Sequence, residues 1–326
     1  MIFKSIIKVV EMSKYTIEPM FPKKLKTVSL DSRESKVVVK DFAECCPAEA
    51  SLNYFINSLP DILAGRDFKD FLVLMHKAKE HSKSIIFSMG AHVIKVGLNP
   101  IVIDLLKKGW ISALALNGAG IIHDFEIAFA GKTSEDVGSQ IQEGDFGMAE
   151  ETGRMLNKAI NAGADADIGL GEAVGKMIYE SEFPFKQMSL TAAAFKLNIP
   201  VTVHVAMGAD IVHYHPGVKG ESIGKTSLRD FFLFCKIVKY LDGGGIYINA
   251  GSAVILPEVF LKAVTYVRNQ GIVLKDFSTA VFDFIHHYRP YQNVVKRPLI
   301  GDGRGFYFIG HHEIMIPLLA AALISE

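Results

Sequence analysis

One stretch limits the possible folds more than any other: Ala113-Leu114-Ala115-Leu116-Asn117-Gly118-Ala119-Gly120-Ile121-Ile122-His123-Asp124. A short apolar run reads as a buried strand, empties into small residues, and leads at once to two ionisable side chains. Small residues at a strand's end let a backbone approach a ligand that a Cβ would block. A helix starting near Ile122 would turn its free N–H groups toward the same space. Such a strand–turn–helix corner is the unit of an α/β crevice.

The corner recurs. Residues 84–88 read as a strand ending at Met89-Gly90-Ala91, and Pro200-Val201-Thr202-Val203-His204-Val205 as another ending toward Gly208. Gly245-Ile246-Tyr247-Ile248-Asn249 reads as a strand that runs into Ala250-Gly251-Ser252. Residues 277–282 and 306–309 give two further strands. Between them, helical spacing marks 100–108, 122–130, 146–162, 171–179, 189–197 and 228–240, and Pro257 suits a first helical turn. Alternation of this kind predicts a doubly wound, mainly parallel, Rossmann-like α/β sheet. Residues 49–63 and 67–83 have helical spacing ahead of the first strand. The expected organisation is an N-terminal arm and helical extension over 1–83, followed by one α/β domain over 84–326.

Composition narrows the function classes. Lysine plus arginine equals aspartate plus glutamate at 35 each, so no global field points to nucleic acid. Hydrophobic residues make up 49% of the chain, yet no apolar run reaches the roughly 18 residues of a membrane helix. That surplus fits a sheet buried on both faces and a homo-oligomer interface. Three cysteines, with Cys45 and Cys46 adjacent, make neither a disulfide framework nor a zinc motif, and reducing cytoplasm is the expected compartment.

Converging turns at Gly90-Ala91, Asn117-Gly118-Ala119 and Gly251-Ser252 suit a dinucleotide or a ligand of similar size. The G-x-G-x-x-G fingerprint is absent, which disfavours an ordinary dehydrogenase. Ionisable residues gather beside the same corners: His123 and Asp124; His204, Asp210, His213 and His215; Asp283, His286 and His287; His311, His312 and Glu313. Imidazole works near neutral pH as a proton carrier or a metal ligand, and a neighbouring carboxylate tunes it. Each has a plainer reading as a cap or a core hydrogen bond. His213-x-His215 on extended chain would aim both rings to one face, so His204, Asp210, His213 and His215 form an alternative divalent-metal site for a hydrolase. Thr133-Ser134-Glu135-Asp136 reads as a helix cap, and Gly301-Asp302-Gly303-Arg304-Gly305 as a surface turn or a lid.

These residues also carry a resemblance. Ile86-Phe87-Ser88-Met89-Gly90-Ala91, Leu116-Asn117-Gly118-Ala119-Gly120 with His123-Asp124, the segment 200–210, and Thr279-Ala280 with Asp283 occupy the places of family motifs. Over residues 84–283 the chain resembles the deoxyhypusine synthase family. That likeness implies a Rossmann-like sheet with a helical preface, bound NAD, and a tetramer with active sites between subunits. It implies action on spermidine, whose aminobutyl group passes to a protein lysine through an imine on an enzyme lysine. The chain departs there: the lysine position falls on Leu256 in one register and Ile248 in the other, and neither forms an imine. The expectation is a diverged, NAD-dependent transferase or oxidoreductase for a small polar or amine-containing substrate. Gly90, Ala91, Asn117, Gly118, Ala119, Gly251, Ser252 and Thr279 would line the cofactor. His123 or His204 would accept a proton beside Asp124 or Asp210, and Asp283 would hold an ammonium. A non-catalytic nucleotide-binding oligomer is the further alternative.

Overall fold

The computed structural model describes residues 13–325. Contacts divide the chain at Asp41. Ahead of that point the described residues carry one 3-10 turn, Val39–Asp41, with no buried residue.

The second unit begins with α1 (Leu52–Ser58), capped by the Ser51 hydroxyl on the Tyr54 N–H, and α2 (Leu63–Glu80). The order then runs β1 (Ile85–Met89), α3 (His92–Lys95), α4 (Asn99–Lys107), β2 (Ala113–Asn117), α5 (Gly118–Ala130) and α6 (Val137–Glu143). It continues with α7 (Glu150–Asp165), α8 (Leu170–Glu180), α9 (Leu190–Lys196), β3 (Val201–His204) and α10 (Gly220–Lys239). Last come β4 (Ile246–Ala250), α11 (Ile255–Asn269), β5 (Ser278–Asp283), α12 (Tyr288–Pro290), β6 (Gly305–Ile309) and α13 (His312–Ile324). The helices at 52–80 belong to this α/β unit. Phe71 of α2 is fully buried against Phe282, Phe306 and Phe308, so the helical preface is part of the core.

All six strands are parallel, in the order β3-β2-β1-β4-β5-β6. Burial is continuous along β1, β3, β4 and β5, as a sheet covered on both faces requires. Alternate residues serve opposite layers. Ile86, Ala115, Tyr247 and Val281 face the side of α10 and α11, where Tyr247 stacks on Phe260 at 3.7 Å. Phe87, Met89, Leu116 and Phe282 face the other layer, which includes α2, α5 and α13. Each buried aromatic or aliphatic side chain contributes roughly 1.5–3 kcal/mol.

Two differences from the sequence reading have physical causes. The helix expected near Ile122 starts at Gly118, because the Asn117 side chain accepts from the Gly120 N–H and caps it directly at the strand's end. The helix expected at 228–240 starts at Gly220, where polar Glu221, Lys225 and Ser227 had masked the pattern. Among the described residues no helix is long and apolar enough to cross a membrane.

Candidate functional site

Parallel pairing brings the carboxyl ends of all six strands to one edge, so Asn117, His204 and Gly251 lie on the same side of the sheet. Strand order reverses between β1 and β4, which is where a doubly wound sheet opens a crevice. Two glycine turns meet there. The Gly90 N–H donates to the Ala250 carbonyl at 2.9 Å, and the Gly251 N–H to that of Phe282 at 3.0 Å. A Cβ on Gly90 would stand 2.4 Å from the Gly251 carbonyl oxygen. Gly251 has φ +68°, and a Cβ there would press on the His312 ring at 2.8 Å. Both positions exclude a side chain, because the two turns pack directly on one another and on the His312 ring. Ala91 and Ser252 are buried beside them, the Ser252 hydroxyl accepting from the Leu256 N–H at 3.2 Å.

The remaining expected lining residues divide. Asn117, Gly118 and Ala119 form the cap and first turn of α5. Gly118 lies under the Asp210 carboxylate, which would meet a Cβ at 2.0 Å. Thr279 is not at the crevice. It sits near the amino end of β5, where its hydroxyl donates to the Val294 carbonyl at 2.8 Å, four residues short of Asp283. The 301–305 turn also lies at amino ends, before β6, with Arg304 paired to Asp67 and Asp70 of α2. A lid over the crevice is excluded by that placement.

The expected acid–base residues differ in how they are held. Asp124 is fully buried and accepts from the Ser189 and Thr191 hydroxyls at 2.7 and 2.6 Å. It also accepts from the Leu190 and Thr191 N–H groups at 2.7 and 3.0 Å. It therefore caps α9 and has no edge toward a substrate. Burial pushes its carboxyl up, while those donors oppose the shift. His204 is equally enclosed, edge-on to Phe234 at 5.2 Å with Nε2 3.1 Å from the Thr202 hydroxyl, and burial pulls it down to about 3. As proton acceptors both are displaced by this placement.

His123 is different. Its side chain is 17% exposed, with Nδ1 2.6 Å from the Thr133 hydroxyl. Burial, and then the Lys95 ammonium, bring it down to about 4, so it is neutral at pH 7. Asp210 is raised by burial and accepts from the Ala206 N–H at 3.3 Å. Asp283 ends β5, accepts from the Phe284 N–H at 2.9 Å, and lies 3.8 Å from His287 Nε2.

The four residues of the alternative metal set do not converge. His213 and Tyr214 lie in a 3-10 turn, Ile211–Tyr214, instead of extended chain, and the rings part. His213 Nδ1 accepts from the Gly208 N–H at 3.2 Å, and His215 Nε2 donates to the Gly147 carbonyl at 2.9 Å. Among the described residues no group of three or more His, Cys, Asp or Glu is placed to hold a metal ion.

One residue at this edge, His92, escaped the sequence reading, and another, His312, was grouped with His311 and Glu313 without a role. His92, directly after Gly90-Ala91, packs against His312 at 5.5 Å and Phe284 at 6.0 Å. His312 is fully buried, donates from Nε2 to the Phe282 carbonyl at 3.0 Å, and leaves Nδ1 without a partner. The available signal for His92 was its position directly after a small-residue turn.

No protein-family model and no curated protein matches the sequence. Solved structures do match in fold. ArgZ, an arginine dihydrolase from the ornithine-ammonia cycle in cyanobacteria, superposes with a TM-score of 0.50 at 15% identity. That match covers 81% of this chain and 33% of ArgZ. The ternary complex of AgrE with ornithine and NAD+ gives 0.51 at 10% identity, covering 79% of this chain and 32% of AgrE. The chain thus spans about one third of the length of these two proteins. A protein from Entamoeba histolytica assigned by name to the deoxyhypusine synthases gives 0.49 at 12% identity, covering 84% of this chain and 93% of that one. Likeness at this identity shows a shared fold: the six-stranded parallel α/β sheet of the Rossmann type expected from the sequence.

Proposed function

We propose that this chain is a diverged enzyme of deoxyhypusine synthase-like fold that binds NAD at the β1/β4 crevice and acts on a small polar, amine-containing substrate. The observation that carries the reading is the pair of bare backbone turns, Gly90 against Gly251, at the point where strand order reverses. Turns that close on one another without side chains leave backbone at this strand-end edge, which a flat, bulky cofactor can approach closely. AgrE, which shares the fold, was solved with NAD+ and with ornithine, an amine.

Gly90, Ala91, Gly251 and Ser252 hold the cofactor, with Asn117, Gly118 and Ala119 reached once Asp210 swings from above Gly118. NAD when bound supplies a hydride acceptor for a C–H bond beside nitrogen or oxygen. His123 takes the proton at Nε2, and Asp283 holds the substrate ammonium through the oxygen facing His287. Asp210, close to the α5 turn, steadies a developing cation. The imine route of the resembled family is not part of this function. Leu256 and Ile248 are buried apolar residues, and Lys262 is 60% exposed and paired with Glu258. The same reading expects a homo-oligomer in the cytoplasm, and light scattering measures the oligomeric mass.

Calorimetry with NAD+ tests the proposal. A saturable heat is expected for the native chain, weakened at least tenfold in Gly90→Ala, with circular dichroism confirming that the variant folds. Absence of saturable heat with the native chain ends the cofactor reading.

A further inference from the structure

His123 and Glu126 lie three residues apart on α5, and the following loop brings the Thr133 hydroxyl between them. That hydroxyl lies 2.6 Å from His123 Nδ1 and donates to Glu126 Oε2 in a short hydrogen bond. A hydroxyl has one proton to give. With it committed to the carboxylate, Thr133 accepts from the ring, so Nδ1 carries the proton and Nε2 keeps its lone pair. The other carboxylate oxygen, Oε1, accepts from the Thr152 hydroxyl of α7 at 3.2 Å, which keeps the carboxylate from turning away. Nε2 itself makes no hydrogen bond among the described residues and is not one of the buried unpartnered atoms.

A base oriented by a second group, itself oriented by a third, is the arrangement that proton-transfer enzymes build. We infer that Thr133 and Glu126 are positioning residues that lock His123 in its Nδ1–H form, so that Nε2 serves as the proton acceptor at the carboxyl ends of β1 and β2. Three observations carry this: the 2.6 Å contact, the acceptor-only partner beyond it, and the clamp from a separate helix. The charged groups facing the ring are Lys95 from α3 and Glu126 from α5. Neither Thr133 nor Glu126 has a place in the resemblance described above, so the relay belongs to this chain's own residues. The acceptor's use in turnover rests on the function proposed above, but the locked tautomer does not.

Ring 15N chemical shifts, assigned through the signals lost in His123→Gln, read the tautomer directly. The native chain is expected to show a protonated Nδ1 and a bare Nε2. Thr133→Val should move most of the population to the Nε2–H form, and Thr133→Ser should restore the native pattern. Carbethoxylation by diethyl pyrocarbonate attacks a bare, accessible ring nitrogen; in Thr133→Val the bare one becomes Nδ1, packed against residue 133, so modification of His123 should slow at least threefold and recover in Thr133→Ser. A native Nε2–H tautomer would overturn the inference. So would a Thr133→Val protein that loses thermal stability while the tautomer stays unchanged, since that is a structural role alone. NAD+ calorimetry on the same samples separates the two claims. Intact tautomer without NAD+ binding ends the cofactor reading only, and NAD+ binding with the wrong tautomer ends the relay only.

Discussion

Asp124 and Asp283 are both buried carboxylates at the carboxyl edge of one sheet, and they are held in opposite ways. Asp124, beyond β2, takes two backbone N–H groups and two hydroxyls from the start of α9. Asp283, at the end of β5, takes only the N–H of the next residue and turns its other oxygen toward His287. The contrast extends to their surroundings. On the β2–β3 side, Asp230 of α10 accepts from the Gly171 and Val203 N–H groups, closing the start of α8 and the outer edge of β3. His204 is enclosed by Phe234 on the same side. Buried atoms without a partner among the described residues occur on both sides, Asp230 Oδ1 on this one and Asn249 Oδ1 and His312 Nδ1 toward β4–β6. Burial alone therefore does not distinguish a capping group from an available one. The number of fixed donors aimed at it does.

The largest test of that difference is Asp124→Ala. It strands two N–H groups and two hydroxyls in a dry interior, each left without an acceptor. Unpaired buried donors cost about 1–3 kcal/mol each, less where they find one another. A loss of roughly 3–5 kcal/mol in urea unfolding is expected, a large share of a domain's 5–15 kcal/mol. A loss below about 1 kcal/mol would show that α9 is closed by other contacts and would erase the contrast with Asp283.

The β2–β3 side also predicts opposed pH limbs. Burial raises Asp230 from 3.8 to about 7, although its two backbone donors resist. Between pH 4 and 7 the folded state then holds a proton that the unfolded chain has released, so stability falls as pH rises through that window. His204, lowered from 6.5 to about 3, acts the other way: below pH 6.5 the unfolded chain binds a proton that the folded state refuses. Its contribution is lost as pH falls, by about 2 kcal/mol at pH 5. His204→Phe should therefore gain stability over the native chain at pH 5 and little at pH 7. Asp230→Asn should flatten the decline between pH 4 and 7. Thermal melts at pH 5 and 7 check both, and identical pH profiles in native and variant chains would refute the argument.

How far the sequence revealed this arrangement depended on which interactions are local. β-Branched and apolar runs ending in small residues located the strands, because a doubly covered sheet needs little else. The meeting of Gly90 with Gly251 followed from parallel topology, which alternation of strands and helices implies. The roles of Asp124 and Asp230 were hidden because their donors lie 65 to 67 and 27 to 59 residues away. The His213–His215 pair misled because i, i+2 spacing shares a face only on extended chain, and Ile211–Tyr214 closes into a 3-10 turn instead. Thr279 was placed by family likeness and lies at the wrong end of its strand.

The smallest effect on stability should come from Asp283→Asn, and it sharpens the comparison most. An amide at this position keeps an oxygen for the Phe284 N–H, so unfolding free energy should change by no more than about 1 kcal/mol. The charge, however, is gone from the oxygen that faces His287. If that oxygen is the available one, affinity for a small diamine, measured by calorimetry in the presence of NAD+, should drop tenfold or more while the melt is nearly unchanged. A variant that loses several kcal/mol with unaltered diamine affinity would place Asp283 with Asp124, as a carboxylate whose work is to hold the fold.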